Sequence, residues 1–310
     1  MNTDFNYSSV ASLIQAAEKN NLPVSALVLS QQAQQIELDE KTVYEKMASN
    51  FQVMKECIEP GCDEHLKSTS GLTGGDAFKL RRYSESGKSL TGSFLSGALY
   101  RALAVSELNA SMGRIVAAPT AGSCGILPAA LITMQEEKGC SDHDCVMALF
   151  TASAVGMVIA NNASLAGAQG GCQAECGSAA AMAAAAITEM LGGTPSQAFD
   201  AAAIAIQNIM GLVCDPVAGL VEMPCAKRNA SGVANALVSA DLALSGIFSE
   251  IPFDEVVEAM YKVGKALPST LRETALGGVA TTPTALAMKE KIYGKGDVGC
   301  CGDCASCGGC

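Results

Sequence analysis

The residues best suited to chemistry lie between Gly170 and Asn229. The stretch opens Gly170-Gly171-Cys172-Gln173-Ala174-Glu175-Cys176-Gly177 and closes Cys214-Asp215-Pro216-Val217-Ala218-Gly219-Leu220-Val221-Glu222-Met223-Pro224-Cys225-Ala226-Lys227-Arg228-Asn229. Its cysteines are bracketed by Gly and Pro, the sequence ahead of them is uncharged, and one dibasic pair follows the last of them. Thiolates that hold iron favour such a setting, because low dielectric and backbone N–H donors from tight turns both stabilise the sulfurs. The stretch reads as a cradle for a metal cluster.

Lys227 and Arg228 are the only Lys or Arg residues between Gly139 and Tyr261. A dibasic pair often just ends a solvated loop, but a cation in an apolar neighbourhood is costly unless an anion meets it. The candidate anions are a cluster's negative charge, a substrate carboxylate, Glu175 and Glu222; cluster plus carboxylate is the reading adopted. A second candidate anion site is the loop Ser68-Thr69-Ser70-Gly71-Leu72-Thr73-Gly74-Gly75-Asp76, whose hydroxyls and free N–H groups suit a small carboxylate. It lacks the G-x-x-x-x-G-K-[ST] pattern of nucleotide phosphate loops. The chain ends Cys300-Cys301-Gly302-Asp303-Cys304-Ala305-Ser306-Cys307-Gly308-Gly309-Cys310, and a cysteine at every third residue from Cys301 predicts metal affinity without naming the metal.

Several elements must position these groups. Hydrophobic residues make up 49% of the chain and charged ones only 16%, with no Trp and few aromatics, which favours closely packed helices over a β-sandwich. The net charge of −11 argues against nucleic acid or an anionic membrane as partner. The start of the chain shows no secretory signal, so fourteen cysteines point to metal or redox chemistry in a reducing cytoplasm rather than to disulfides. The uncharged run from Cys145 to Ala174 is long enough for a membrane span, but its polar and glycine interruptions predict a buried helix leading into a loop.

Residues 8–58 read as three helices, taken as a packing or subunit-contact module. Further helices are expected over Thr91–Ala110, to about Gln135, over Cys145–Ala160, Ser178–Leu191, Pro195–Met210, Ala230–Phe248, Phe253–Ala266 and Pro283–Tyr293. Glu136 to Asp144 reads as a surface connection, and Asn161-Asn162 as the start of a polar loop. The expected organisation is all-α: an N-terminal helical segment (1–67), a helical catalytic domain holding the cluster (68–293), and a Cys-rich tail (294–310).

The segments Ser70-Gly71-Leu72-Thr73-Gly74-Gly75-Asp76, Pro119-Thr120-Ala121-Gly122-Ser123, Asn161-Asn162-Ala163-Ser164, Gly170 to Glu175, Cys214 to Gly219, Pro224 to Asn229 and Leu271-Arg272-Glu273-Thr274-Ala275-Leu276-Gly277-Gly278 resemble the α chain of iron–sulfur-dependent L-serine dehydratases, in the same order and over about Val10 to Cys310. The resemblance implies a [4Fe–4S] cluster held by Cys172, Cys214 and Cys225, with a C-terminal cysteine at the reactive iron. By position that is Cys310, with Cys307 or Cys304 as substitutes. It also implies a β portion, whose Ser/His-Thr-Gly-Pro and Gly-Lys-Gly-His segments are absent here, so a separate β chain is the expected partner; a homo-oligomer is left open. Cys176 and Cys124 depart from the pattern and are either spare ligands or packed thiols.

The expected reaction is elimination of water from L-serine, giving pyruvate and ammonia without pyridoxal phosphate. Lys79 and Glu175 are the motif-placed candidates for the base, since His65 and His143 lie in charged, surface-like contexts. Ser70, Thr73, Gly74, Asn162, Lys227 and Arg228 are the candidates for binding substrate. The competing readings are the same chemistry on cysteine or threonine, and a non-enzymatic iron–sulfur carrier whose working part is the tail.

Overall fold

A computed structural model describes residues 9–294, so the tail cysteines, Cys310 among them, lie outside the described residues. The helices are α1 (Val10–Asn20), α2 (Val24–Gln35), α3 (Glu40–Glu56), α4 (Ile58–Gly61), α5 (Asp76–Glu85), α6 (Gly92–Ala110), α7 (Ile126–Lys138), α8 (Asp142–Asn162), α9 (Gly167–Gly170), α10 (Ser178–Met190), α11 (Pro195–Asn208), α12 (Cys225–Leu244), α13 (Phe253–Ala266) and α14 (Pro283–Tyr293). Among the described residues there is no strand, only an isolated bridge between Cys214 and Arg272. The fold is all-α, as the composition predicts.

Helix boundaries follow local chemistry. Ser9 and Asp39 cap α1 and α3 by accepting the N–H groups of Ser12 and Thr42. Reciprocal capping boxes, Ser141 with Asp144 and Thr194 with Gln197, open α8 and α11. The first of these corrects the surface connection expected over Glu136 to Asp144. Helix α7 instead runs to Lys138, Gly139 closes it in the left-handed region (φ 73°), and α8 begins at Asp142. Asn161 and Asn162 are likewise the last turn of α8, not the start of a loop.

The middle of the molecule is α10. Ala179 to Ala186 are buried on every side of this helix, because α7, α8, α11 and α12 all pack against it. Alanine lets four neighbours approach one axis, at the cost of having little side chain to interlock. Helix α8 is long and apolar enough for a membrane span, but its place among α2, α3, α7, α10 and α13 makes it a core helix.

Distant carboxylates join the outer helices to this core. Glu189 at the end of α10 accepts N–H groups from Val24 and Ser25 of α2 at 2.8 and 3.1 Å, and the Thr151 hydroxyl of α8 at 2.8 Å. Buried Glu107 of α6 accepts from Asp76 and Ala77 at the start of α5, and Asp254 of α13 accepts from Val10 and Ala11. Each satisfies helix N-terminal donors that have no partner within their own helix. One continuous apolar core therefore runs from Val10 to Met260.

Candidate active site

Four segments meet near the start of α10. The first is α9 and the turn after it. Gly171 (φ 76°) redirects the chain, and Gln173–Gly177 forms a π-helical turn feeding straight into α10. The expected loop is thus a helix carrying one wide turn, a form frequent at functional sites. The turn is secured by Gln173, fully buried, whose side chain accepts the Gly211 N–H at 2.8 Å and donates to the Met260 carbonyl at 2.9 Å. Helix α13 crosses here with Gly264 against Gly170, where an added methyl would lie 2.8 Å from the Gly170 Cα.

The second segment carries Cys214, fixed by backbone bonds from its N–H to Leu271 (2.9 Å) and from the Glu273 N–H to its carbonyl (2.7 Å). This places the third segment, Leu271 to Val279, beside it. Glu273 and Ala275 sit there at φ 66° and 55°, a conformation costing side-chain-bearing residues about 1–3 kcal/mol each and concentrated at functional sites. The fourth is α12, which begins at Cys225 instead of the expected Ala230, because the Glu222 and Pro224 carbonyls already accept the N–H groups of Ala226 and Arg228. Lys227 and Arg228 therefore leave a helix turn in different directions.

Cys172, Cys214 and Cys225 are all buried, and Cys214 and Cys225 each feel the charge of Cys172. Burial pushes Cys225 up to about 12, with Cys172 and Glu175 adding to the rise and Arg228 opposing it. Burial pushes Cys214 further still, with upward contributions from Cys172, Glu273 and Cys225. Cys172 goes the other way. The hydrogen bond it shares with Cys176, sulfur to sulfur at 3.4 Å, draws it below the ordinary thiol range against the effect of burial, and the Arg228 guanidinium assists. Cys176 is raised correspondingly by that bond and by complete burial.

Glu175 stands among these thiols. Its carboxylate accepts the Thr120 hydroxyl at 2.6 Å, and Gly122 makes room for it, since a methyl there would lie 2.6 Å from Oε1. Burial raises the Glu175 carboxyl, the Thr120 bond opposes the rise, and the Glu273 charge adds to it. A methyl on Gly167 would lie 3.0 Å from the Cys214 sulfur and 3.3 Å from an oxygen of both Glu175 and Glu273. One thiol and two carboxylates thus face the same small space over a bare backbone.

The anion that meets Arg228 is Asp215, which the charge pattern did not single out. Arg228 donates to the Asp215 carboxylate at 2.7 Å and to the Val213 carbonyl at 2.9 Å, while the other Asp215 oxygen accepts the Val279 N–H at 2.7 Å. Lys227 points outward, exposed, with Asp76 at 3.8 Å. Lys79 is also exposed and pairs with Asp76 at 2.9 Å, away from the thiols. The hydroxyls of Ser70 and Thr73 both donate to buried Glu222, at 2.9 and 3.0 Å, joining the Ser70–Gly75 loop to the segment before α12. Asn162 is exposed at the end of α8 and donates to the Val158 carbonyl.

Asp215, Thr120, Glu273 and Asn229 complete the site. Asn229, fully buried, accepts the Gly125 N–H at 2.9 Å and donates to the Gly122 and Cys225 carbonyls, locking the Thr120 loop onto α12. A signal for all four was present: each is a polar residue inside a Gly- and Pro-rich segment, where a buried polar group must find a partner.

Fold and site together define an all-helical protein that gathers buried thiols, a raised carboxyl and a paired arginine at one place. A profile of the family described as "Serine dehydratase alpha chain" matches residues 19–280, and the chain belongs to that family. Among its relatives, "Probable L-serine dehydratase, alpha chain" of Bacillus subtilis (strain 168) is 49% identical over 288 residues, covering 93% of this chain and 96% of the relative. "L-serine dehydratase, alpha chain" of Peptoniphilus asaccharolyticus is 45% identical over 285 residues, covering 92% and 98%. "L-serine dehydratase TdcG" of Escherichia coli (strain K12) is 36% identical over 288 residues, covering 89% of this chain but only 62% of that protein.

Proposed function

We propose that the chain is the α chain of an iron–sulfur L-serine dehydratase, a lyase that removes water from L-serine to give pyruvate and ammonia. The observations that carry the reading are three buried thiols from three segments near the Glu175 carboxyl and near-full-length relatives named as L-serine dehydratase alpha chains.

The donor set fits a [4Fe–4S] cluster. Among the described residues no three His, Cys, Asp or Glu side chains group as a single metal ion requires; Cys172, Cys214 and Cys225 are buried thiols near enough to shift one another's titration, a donor type that suits iron–sulfur ligation. All three ligands are soft thiolates, and Arg228 supplies a nearby cation. When bound, the cluster would supply a Lewis acid at the serine hydroxyl, making hydroxide a better leaving group.

The chain's own residues do the rest. Glu175 takes the Cα proton of serine: its raised pKa makes it a stronger base than an ordinary carboxylate, and Thr120 fixes which oxygen remains free. The aminoacrylate released tautomerises and hydrolyses to pyruvate and ammonia. Lys79 is the weaker candidate for this proton because it is exposed and paired with Asp76. The serine carboxylate is assigned to Lys227 and the Ser70–Gly74 loop, whose hydroxyls must then leave Glu222. Arg228 instead offsets the negative charge of the thiolates. A separate β chain is the proposed partner, in keeping with the "alpha chain" names of two relatives and with the further length of the Escherichia coli protein.

The test is anaerobic purification with and without a β chain, following iron content, visible absorption and pyruvate formation together on L-serine, L-threonine and L-cysteine. Iron-loaded complex that forms pyruvate fastest from serine is expected. Iron-loaded complex that deaminates none of the three would sink the reading.

A further inference from the structure

The π-helical turn has a consequence separate from catalysis. It brings the sulfurs of Cys172 and Cys176 to 3.4 Å, against the about 2 Å of a disulfide bond. Both thiols are buried, with 2% of their surface exposed, so bulky reagents are excluded. A cavity of about 420 Å³ nevertheless has Cys176 and Arg228 in its wall, together with Asn208, Met210 and Ser231. It is far larger than one water requires, so a molecule the size of hydrogen peroxide can enter.

We propose that Cys172 and Cys176 form a peroxide-sensitive thiol pair, which closes to a disulfide when Cys172 is not holding metal. Peroxide transfers one oxygen to one sulfur of the pair, giving a sulfenic acid and one water. The other sulfur then attacks the sulfenic sulfur. The S–S bond forms as the S–O bond breaks, and the hydroxyl leaves as a second water with the attacking thiol's proton. Overall the two sulfurs lose two electrons, peroxide gains them, and two waters are released. The effect on the cluster rests on the ligand role proposed for Cys172, but the bond itself does not. The disulfide holds Cys172 in a form that a thiol reductant reverses, protecting it from irreversible oxidation to the sulfinic acid.

The full-length chain is reduced, stripped of iron with a chelator under argon, given a brief pulse of hydrogen peroxide, unfolded in guanidinium chloride, alkylated and digested with pepsin, because no Lys or Arg separates this pair from Cys140, Cys145 and Cys214. The peptide carrying Cys172 and Cys176 is expected to refuse alkylation, to be lighter by two hydrogens, and to accept two alkyl groups after dithiothreitol. After the pulse, the unmodified chain should take up iron only once dithiothreitol is added. In Cys176→Ser the same pulse should leave Cys172 open to alkylation at low dose and carry it to the sulfinic acid at high dose. Two alkylated thiols in the pulsed unmodified chain, or Cys172 joined to any other cysteine, would overturn the proposal. Because mass is read on metal-free protein, this result is independent of whether the loaded complex acts on serine.

Discussion

Among single residues, the assignment turns on Glu175, whose partners give it both a fixed orientation and an elevated affinity for a proton. Glu175→Gln should lower kcat by about 10²–10⁴-fold while iron content is unchanged, as loss of a positioned base does. Iron lost along with activity would make the residue structural. Thr120→Val removes one hydrogen bond from the Glu175 carboxylate, and a contribution of about 1 kcal/mol corresponds to a fall in kcat of up to about tenfold. The two basic neighbours should separate cleanly. Lys227→Ala is expected to raise KM for serine with kcat little changed, whereas Arg228→Lys loses the fork that joins Asp215 to the Val213 carbonyl and should lower iron retention. Steady-state kinetics beside iron assays distinguish these outcomes.

The elements matter because each proposed ligand rides on a different one. The π-turn presents Cys172, a bridged extended segment presents Cys214, and the first turn of α12 presents Cys225. No one of them defines the site unless the joints between them hold. Asn229→Ala would leave the buried Gly125 N–H and Gly122 carbonyl without partners, at about 3 kcal/mol in total. A melting temperature lower by about 5 °C, read by circular dichroism, is expected. Gly167→Ala tests the site without loosening the joints: its methyl would crowd the Cys214 sulfur and both carboxylates, so iron uptake should fall while helical content stays constant. A Gly167→Ala protein with full iron and full activity would show that the space over Gly167 is not used.

Viewed whole, the molecule is a set of helices held around a nearly side-chain-free axis, α10, with carboxylates from the core capping the outer helices. Buried thiols other than the three proposed ligands give that core a pH limit. Burial holds Cys57 up to about 11, and Cys124 and Cys145 up to about 12, against an ordinary value of 9.0. A thiol raised in the folded state contributes stability below its unfolded value, and loses it as pH climbs toward the folded one. Stability should therefore decline above pH 9, and fully buried Cys124 alone removes about 1.4 kcal/mol per pH unit until about pH 12. Denaturant midpoints that stay flat from pH 9 to 11 would contradict this.

Much of this was legible in the residues themselves. The run of alanines in α10 and the helical spacing around it act over a few residues, and local physics places helices; the Ser141–Asp144 cap is equally local, but its charged residues read as a surface connection. The cysteines and their Gly- and Pro-rich surroundings announced a thiol site for the same reason. What the chain could not disclose alone was which charge meets which. Arg228 finds Asp215 thirteen residues away, Ser70 and Thr73 find Glu222 across the fold, and Lys79 turns outward to Asp76. Nor did the pattern of glycines show that a wide helical turn would set Cys172 against Cys176. Electrostatic partners are chosen by distance and burial across segments far apart in sequence, and those quantities exist only once the helices have packed.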